Sequence, residues 1–130
     1  MIILTLRTDK PDSEIGLYEQ TTPLAYHVWH ANRQLAETIH KAIEEQLKLQ
    51  KVDYKDLRGI VFYKGPGSFT GLRIGASVVN ALASSLGISI VGSTGDDWKE
   101  QGINSLLENQ NDGIVVPEYG ALPNVTIQKK

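Results

Sequence analysis

The chain has 130 residues, a formal net charge of -2, a sequence pI near 5.9, a hydrophobic fraction of 41% and no cysteine. These values fit one compact domain able to bury a core without disulfides or a structural metal. They exclude disulfides, cysteine nucleophiles and zinc-thiolate sites, and they argue against a broad basic surface for free nucleic acid.

The opening "MIILTLRT" is rich in β-branched residues and leucine and reads as a first strand. It has neither the basic start nor the long apolar core of a secretory signal. "DKPDS" is turn chemistry, with Asp9, Pro11, Asp12 and Ser13 together. "EIGLYE" alternates and predicts a second strand, antiparallel to the first, and "LAYHVWH" predicts a third. The period then changes. Leu35, Ile39, Ile43 and Leu47 recur every four residues among Glu37, Lys41, Glu44, Glu45 and Lys48. This spacing predicts an amphipathic helix over residues 31 to 50, with Asn32 as its N-cap.

After a polar connection, "GIVFYKG" reads as a strand buried on both faces. The loop "GPGSFTG" and a helix running to Leu86 follow, with Gly87 placed as a left-handed C-cap. "ISIVGS" is another buried strand. No residue between Arg73 and Asp96 is charged, yet Asn80, the serines and glycines 75, 87, 92 and 95 make it a helix, turn and strand rather than a membrane span. "DDWKEQGINSLLENQ" predicts a short helix broken at Gly102, and "DGIVVPEYGALPNVTIQKK" a tail that packs on the domain or on a partner. The order β-β-β-α-β-α-β, a mixed sheet, matches an α/β ribonuclease H-like half-domain of the kind used by actin-like ATPases. Residues 1–110 form that lobe and 111–130 the tail.

The loop Gly65-Pro66-Gly67-Ser68-Phe69-Thr70-Gly71 admits several chemistries. Walker A spacing fails, because no lysine stands at the required offset. A dinucleotide cradle fits better in its glycines, but Pro66 interrupts it and the next strand ends without an acid. A small nucleotide-binding enzyme using Gly65–Gly71 is therefore the alternative function. Ser68 lacks the G-x-S-x-G setting of a nucleophile, and His27, His30 and His40 read as surface or rim residues. The lysines 48, 51, 55, 129 and 130 are interspersed with acids and read as a solvated face.

Close strand-helix approach and a Ser68 or Thr70 cap explain part of the loop. They leave Phe69, an exposed aromatic, Arg73, a cation in the first helical turn, and Gly75, a mid-helix glycine. Leu72, Ala76, Val79, Ala83 and Leu86 form one apolar stripe and Ile74, Val78 and Ala81 another. Gly71, Gly75, Ser77, Ser84 and Ser85 are small enough for a close neighbour. Two apolar stripes predict a helix covered on two sides, by its own sheet and by the first helix, a partner chain, or both.

"KGPGSFTGLRIGASVVNALASSLGISIVG" closely resembles the hallmark segment of the TsaB (YeaZ) family, and weaker likeness extends it over residues 1 to 94. "VVPEYGALPNVT" is similar to a C-terminal segment of some members. The resemblance implies a cytoplasmic subunit for making threonylcarbamoyladenosine in tRNA, with no catalytic residue, metal or cofactor of its own. It implies pairing with a TsaD-like transferase, which a TsaE-like ATPase joins, contact with tRNA only indirectly, no membrane, and a homodimer in isolation. The contact surface it implies is Leu35, Ile39, Ile43 and Leu47 of the first helix with Phe69, Arg73, Ile74, Ser77, Val78 and Ala81 of the second. Gly65, Pro66, Gly67, Ser68, Thr70 and Gly71 form the loop at its entrance. Two departures stand out. Arg7-Thr8-Asp9 occupies the place of the family's D-T-S, and Ala31-Asn32-Arg33 that of its H-S-E. Family members carry a second lobe, which is largely missing from a chain of this length.

Overall fold

The computed structural model describes residues 1–119, apart from the side chain of Asn32. Five strands form one sheet: β1 (Ile2–Arg7), β2 (Asp12–Glu19), β3 (Thr22–His30), β4 (Leu57–Tyr63) and β5 (Ser89–Ser93). Their spatial order is β3-β2-β1-β4-β5. The β1–β2 and β2–β3 pairs are antiparallel, and β1–β4 and β4–β5 are parallel. The helices are α1 (Leu35–Leu49), α2 (Phe69–Leu86) and α3 (Trp98–Leu107).

The centre of the sheet is apolar on both sides. Ile3, Leu4, Leu6, Ile60, Val61 and Phe62 are fully buried, which is why these strands read as continuous runs. Neighbouring residues of β4 meet opposite layers: Phe62 lies against Gly75 of α2 and Val61 against Gly102 of α3. The helices α1 and α2 thus cover one face, and α3 covers the β4–β5 half of the other. Leu24, Tyr26 and Val28 of edge strand β3 stay exposed.

Three expectations change. Helix α1 begins at Leu35 after a 3-10 turn over Asn32–Gln34, so its N-cap is Gln34, without a side-chain cap bond, and not Asn32. Gly102 does not break α3. An added Cβ there would lie 2.8 Å from Val61 Cγ2 and 2.9 Å from Ser93 Oγ, so the glycine lets the helix lie on the sheet. Gly75 likewise faces the protein's own core rather than a partner. Gly87 caps α2 with φ 66°, as its position predicts.

The described part of the tail packs on the domain. Asn111 Oδ1 accepts from Ile90 N and Asp112 Oδ2 from Gly92 N, which satisfies the outer edge of β5. Val115 is buried and exchanges two hydrogen bonds with the Asn80 side chain of α2, at 2.8 and 2.9 Å. Glu118 N then donates to Lys64 O beside the glycine loop. The rest of the tail, including Lys129 and Lys130, lies outside the described residues.

Candidate functional site

The glycine loop is built onto the end of β1. Ser68 N donates to Asp9 O at 3.0 Å, and Thr8 Oγ1 donates to Gly71 O at 2.7 Å. A Cβ on Gly71 would overlap the Thr8 carbonyl, one on Gly75 the Thr8 hydroxyl, and one on Gly67 the side chain of Asp9. Gly65, at φ 122°, passes under the Glu118 carbonyl, and Tyr63 Oη donates to Pro66 O at 2.9 Å. Ser68 Oγ accepts from Gly71 N at 3.5 Å, a loose cap for α2. The glycines are therefore consumed by close packing against β1 and the tail. The space a dinucleotide phosphate would need is filled by Thr8 and Asp9.

Arg7 occupies the strand end where the resembling family carries an acid. Its Nε and Nη2 each donate to Asp9 at 2.8 Å, and its guanidinium lies 4.0 Å from the centre of the Tyr63 ring. The hydrogen-bonded Asp9 raises the Arg7 pKa further, against the opposing pull of burial. A fixed cation-carboxylate pair, with two charge-assisted hydrogen bonds, thus occupies that strand end.

The predicted contact residues divide in two. Leu35, Ile39, Ile43 and Leu47 are between 0 and 4% exposed and face the core, with Ile43 also forming part of the wall of the α1–α2 groove. A four-residue stripe marks the face a helix buries, and the sheet takes that face first. The α2 residues lie differently. Arg73, Ser77 and Ala81 are exposed, and Ile74 and Val78 half-buried. Phe69 is 55% exposed, packs on Tyr119 with ring centres 4.5 Å apart, and lies under Arg73 at 5.4 Å. The aromatic and the cation that disfavours a helix start therefore hold one another.

Along the α1–α2 seam run two open cavities. One, of about 440 Å³, has Ala36, His40, Arg73, Ile74 and Ser77 on its walls. The other, of about 420 Å³, has His40, Tyr54, Val78, Ala81 and Leu82. His40 and Val78 belong to both, so the two form a continuous groove. Ala36, His40, Tyr54 and Leu82 line the groove although the sequence reading did not assign them to the contact surface. Ala36 and His40 share i, i+4 spacing, and Ile74, Val78 and Leu82 repeat it, which is the signal that would have found them.

His30 Nδ1 is hydrogen-bonded to Asp12 at 2.8 Å on an exposed surface, and His27 stacks on Trp29. Among the described residues no three His, Cys, Asp or Glu side chains are grouped to hold a metal ion, and no helix is long and apolar enough to cross a membrane. Burial raises the hydroxyl pKa of Tyr18, Tyr26 and Tyr54, helped in Tyr26 by its hydrogen bond to Glu14.

Comparison with known proteins places this geometry. The model of the TsaD family, described as tRNA N6-adenosine threonylcarbamoyltransferase, matches residues 29–94. The tRNA threonylcarbamoyladenosine biosynthesis protein TsaB of Bacillus subtilis (strain 168) is 33% identical over 90 residues, which are 69% of this chain and 39% of that protein. The structure of YeaZ from Pseudomonas aeruginosa superposes with a TM-score of 0.68 at 26% identity, over 78% of this chain and 50% of that one. Thermus thermophilus RuvC, in complex with a Holliday junction substrate, superposes with a TM-score of 0.55 at 10% identity over 92% of this chain and 85% of that one. At that identity RuvC shows the ribonuclease H-like fold alone. The chain spans about two fifths of the Bacillus relative and half of the Pseudomonas one.

Proposed function

The chain belongs to the family of TsaD-like and TsaB-like proteins, and from that premise we propose that it serves tRNA threonylcarbamoyladenosine formation as a non-catalytic scaffold subunit that binds and activates a TsaD-like transferase. The observation that carries the reading is the α1–α2 groove. Its α2 wall offers Ile74, Val78 and Ala81 among small serines, with Arg73 as the one charge. Half-buried apolar side chains beside small residues let a second helix approach closely. The relatives named for this modification supply the partner class. The filled glycine loop and the Arg7–Asp9 pair favour binding over catalysis.

A TsaE-like ATPase would join the assembled pair, tRNA would be met through the transferase, and a cytoplasmic setting would follow. In isolation the same groove would pair two copies of the chain. Sedimentation of the chain mixed with its cognate TsaD-like protein tests the reading. A heterodimer at micromolar concentration is expected. Two species sedimenting separately would sink the proposal, and titration of ATP, ADP and NAD into the chain alone would then decide whether the loop binds nucleotide instead.

A further inference from the structure

The described chain ends, at Tyr119, beside the α1–α2 groove. The Tyr119 ring packs on Phe69, Phe69 lies under Arg73, and Arg73 lines the mouth of the groove with Thr70. Ala36 of α1 and Ile74 of α2 flank that mouth, while Ile43 and Tyr54 meet Leu82 and Leu86 at the other end. The groove thus follows α2 from Arg73 to Leu86, about 20 Å at the rise of a helix. Residues 120–130 follow Tyr119. A fully extended segment of that length spans about 36 Å, enough to cross the ridge of Arg73 and Ser77 and lie along the groove.

The residue types of this segment suit the groove. Val125 and Ile127 are two apart, the spacing of one face of an extended segment, and Leu122 adds a third apolar side chain. The groove offers Ile74, Val78 and Leu82, with the small Ala36, Ser77 and Ala81 beside them. Charge sets the direction. Arg73 stands at the mouth, whereas Glu44 stands at the far end, near enough to Tyr54 to help raise its hydroxyl pKa after burial. A segment running from the mouth to the far end carries Lys129 and Lys130 away from the cation and toward the acid.

We propose that residues 120–130 occupy the α1–α2 groove of their own chain, with Val125 and Ile127 as apolar anchors, and that the transferase must displace them. The displacement rests on the function proposed above; the contact within the chain does not. A tethered segment meets its site at an effective concentration of about 1 mM, so a contact with a Kd of about 0.1 mM as a free peptide is about nine-tenths occupied. Affinity for a partner then falls about tenfold, and pairing of two copies through the groove is opposed in the same way.

The chain has no cysteine, so Gln128→Cys gives the full chain a single thiol for a nitroxide label. Broadening of the His40, Val78 and Leu82 amides in NMR spectra is expected, with the Val28 amide of β3 unaffected. An unbroadened groove, or Val28 broadened as strongly, overturns the proposal. Val125→Asp with Ile127→Asp in the labelled chain should abolish the broadening, and broadening retained there would overturn the apolar anchoring. Isotope-labelled chain without nitroxide, mixed with nitroxide-labelled chain of natural isotope content, should show none. Equal broadening in that mixture would assign the groove to the segment of a second copy and overturn the contact within one chain. None of these samples contains transferase, so their outcome is independent of the function proposed above. In calorimetry with the transferase, the chain carrying Val125→Asp and Ile127→Asp should bind about tenfold more tightly than wild type, and equal affinity would overturn the displacement.

Discussion

Gly75 is the residue at which the packing account makes its sharpest forecast. On an isolated helix, Gly75→Ala would stabilise by about 1 kcal/mol. In this fold the new Cβ would overlap Thr8 Oγ1 and stand 2.7 and 2.9 Å from two carbons of the Phe62 ring. Thr8 is 1% exposed and Phe62 0%, so neither has space to withdraw. Forcing a methyl group into a close-packed core costs about 1–3 kcal/mol. Displacing the Thr8 hydroxyl also breaks its bond to Gly71 O, about 1 kcal/mol more. Against the helix gain, the net is a destabilisation of about 1–3 kcal/mol. Urea unfolding of both proteins measures it. Gly87→Ala is the control: nothing lies within 4 Å of its added Cβ, so only its left-handed backbone matters, at about 1 kcal/mol. Thr8→Ala should relieve part of the Gly75→Ala clash, giving a favourable coupling of about 0.5–3 kcal/mol. A Gly75→Ala protein more stable than wild type would refute the reasoning.

Other outcomes follow from the same structure. Arg7→Ala strands the Asp9 carboxylate, which is 6% exposed, and should cost about 3–5 kcal/mol, toward the lower end because Arg7 itself keeps 16% exposure. Urea midpoints check this, and a loss under about 1 kcal/mol would mean the pair is solvated. Asn80→Ala removes both bonds to Val115 and should speed hydrogen exchange of the Val115 amide, while amides of β4 stay protected. Tyr18, Tyr26 and Tyr54 have raised pKa values, so the folded state holds their protons more tightly than the unfolded chain does. Their stabilising effect is complete below the unfolded tyrosine pKa of about 10 and is lost as pH rises beyond it. Melting temperature should therefore fall above that pH, and less steeply in Tyr26→Phe; equal slopes would contradict it.

The order of elements was legible because each segment carries one clear period. The continuous runs of β1 and β4 and the four-residue stripe of α1 each indicate burial on their own. Which partner does the burying is a tertiary fact. Leu35, Ile39, Ile43 and Leu47 suit a partner helix and a sheet equally well, and the sheet has them. The same limit applies to glycines. Gly75 and Gly102 look like defects in a helix because the atoms they make room for, in Thr8, Phe62, Val61 and Ser93, are remote in sequence. Tyr119 reaches Phe69 only through the path of the tail along β5 and Lys64, which no local pattern encodes. Arg7 was visible as a departure, but its bond to Asp9 was not, since the two flank a strand end.

The central claim is that the α1–α2 face, and not the open face of β3, receives the transferase. Titration of the cognate TsaD-like protein with two variants tests it directly. Val78→Asp places a charge in the groove, and Val28→Asp places one on β3, where the native side chain is 50% exposed. The account predicts that Val78→Asp weakens binding at least a hundredfold, about 3 kcal/mol for an unpaired charge at an interface, with Val28→Asp binding like wild type. Full affinity in Val78→Asp with loss in Val28→Asp would contradict it.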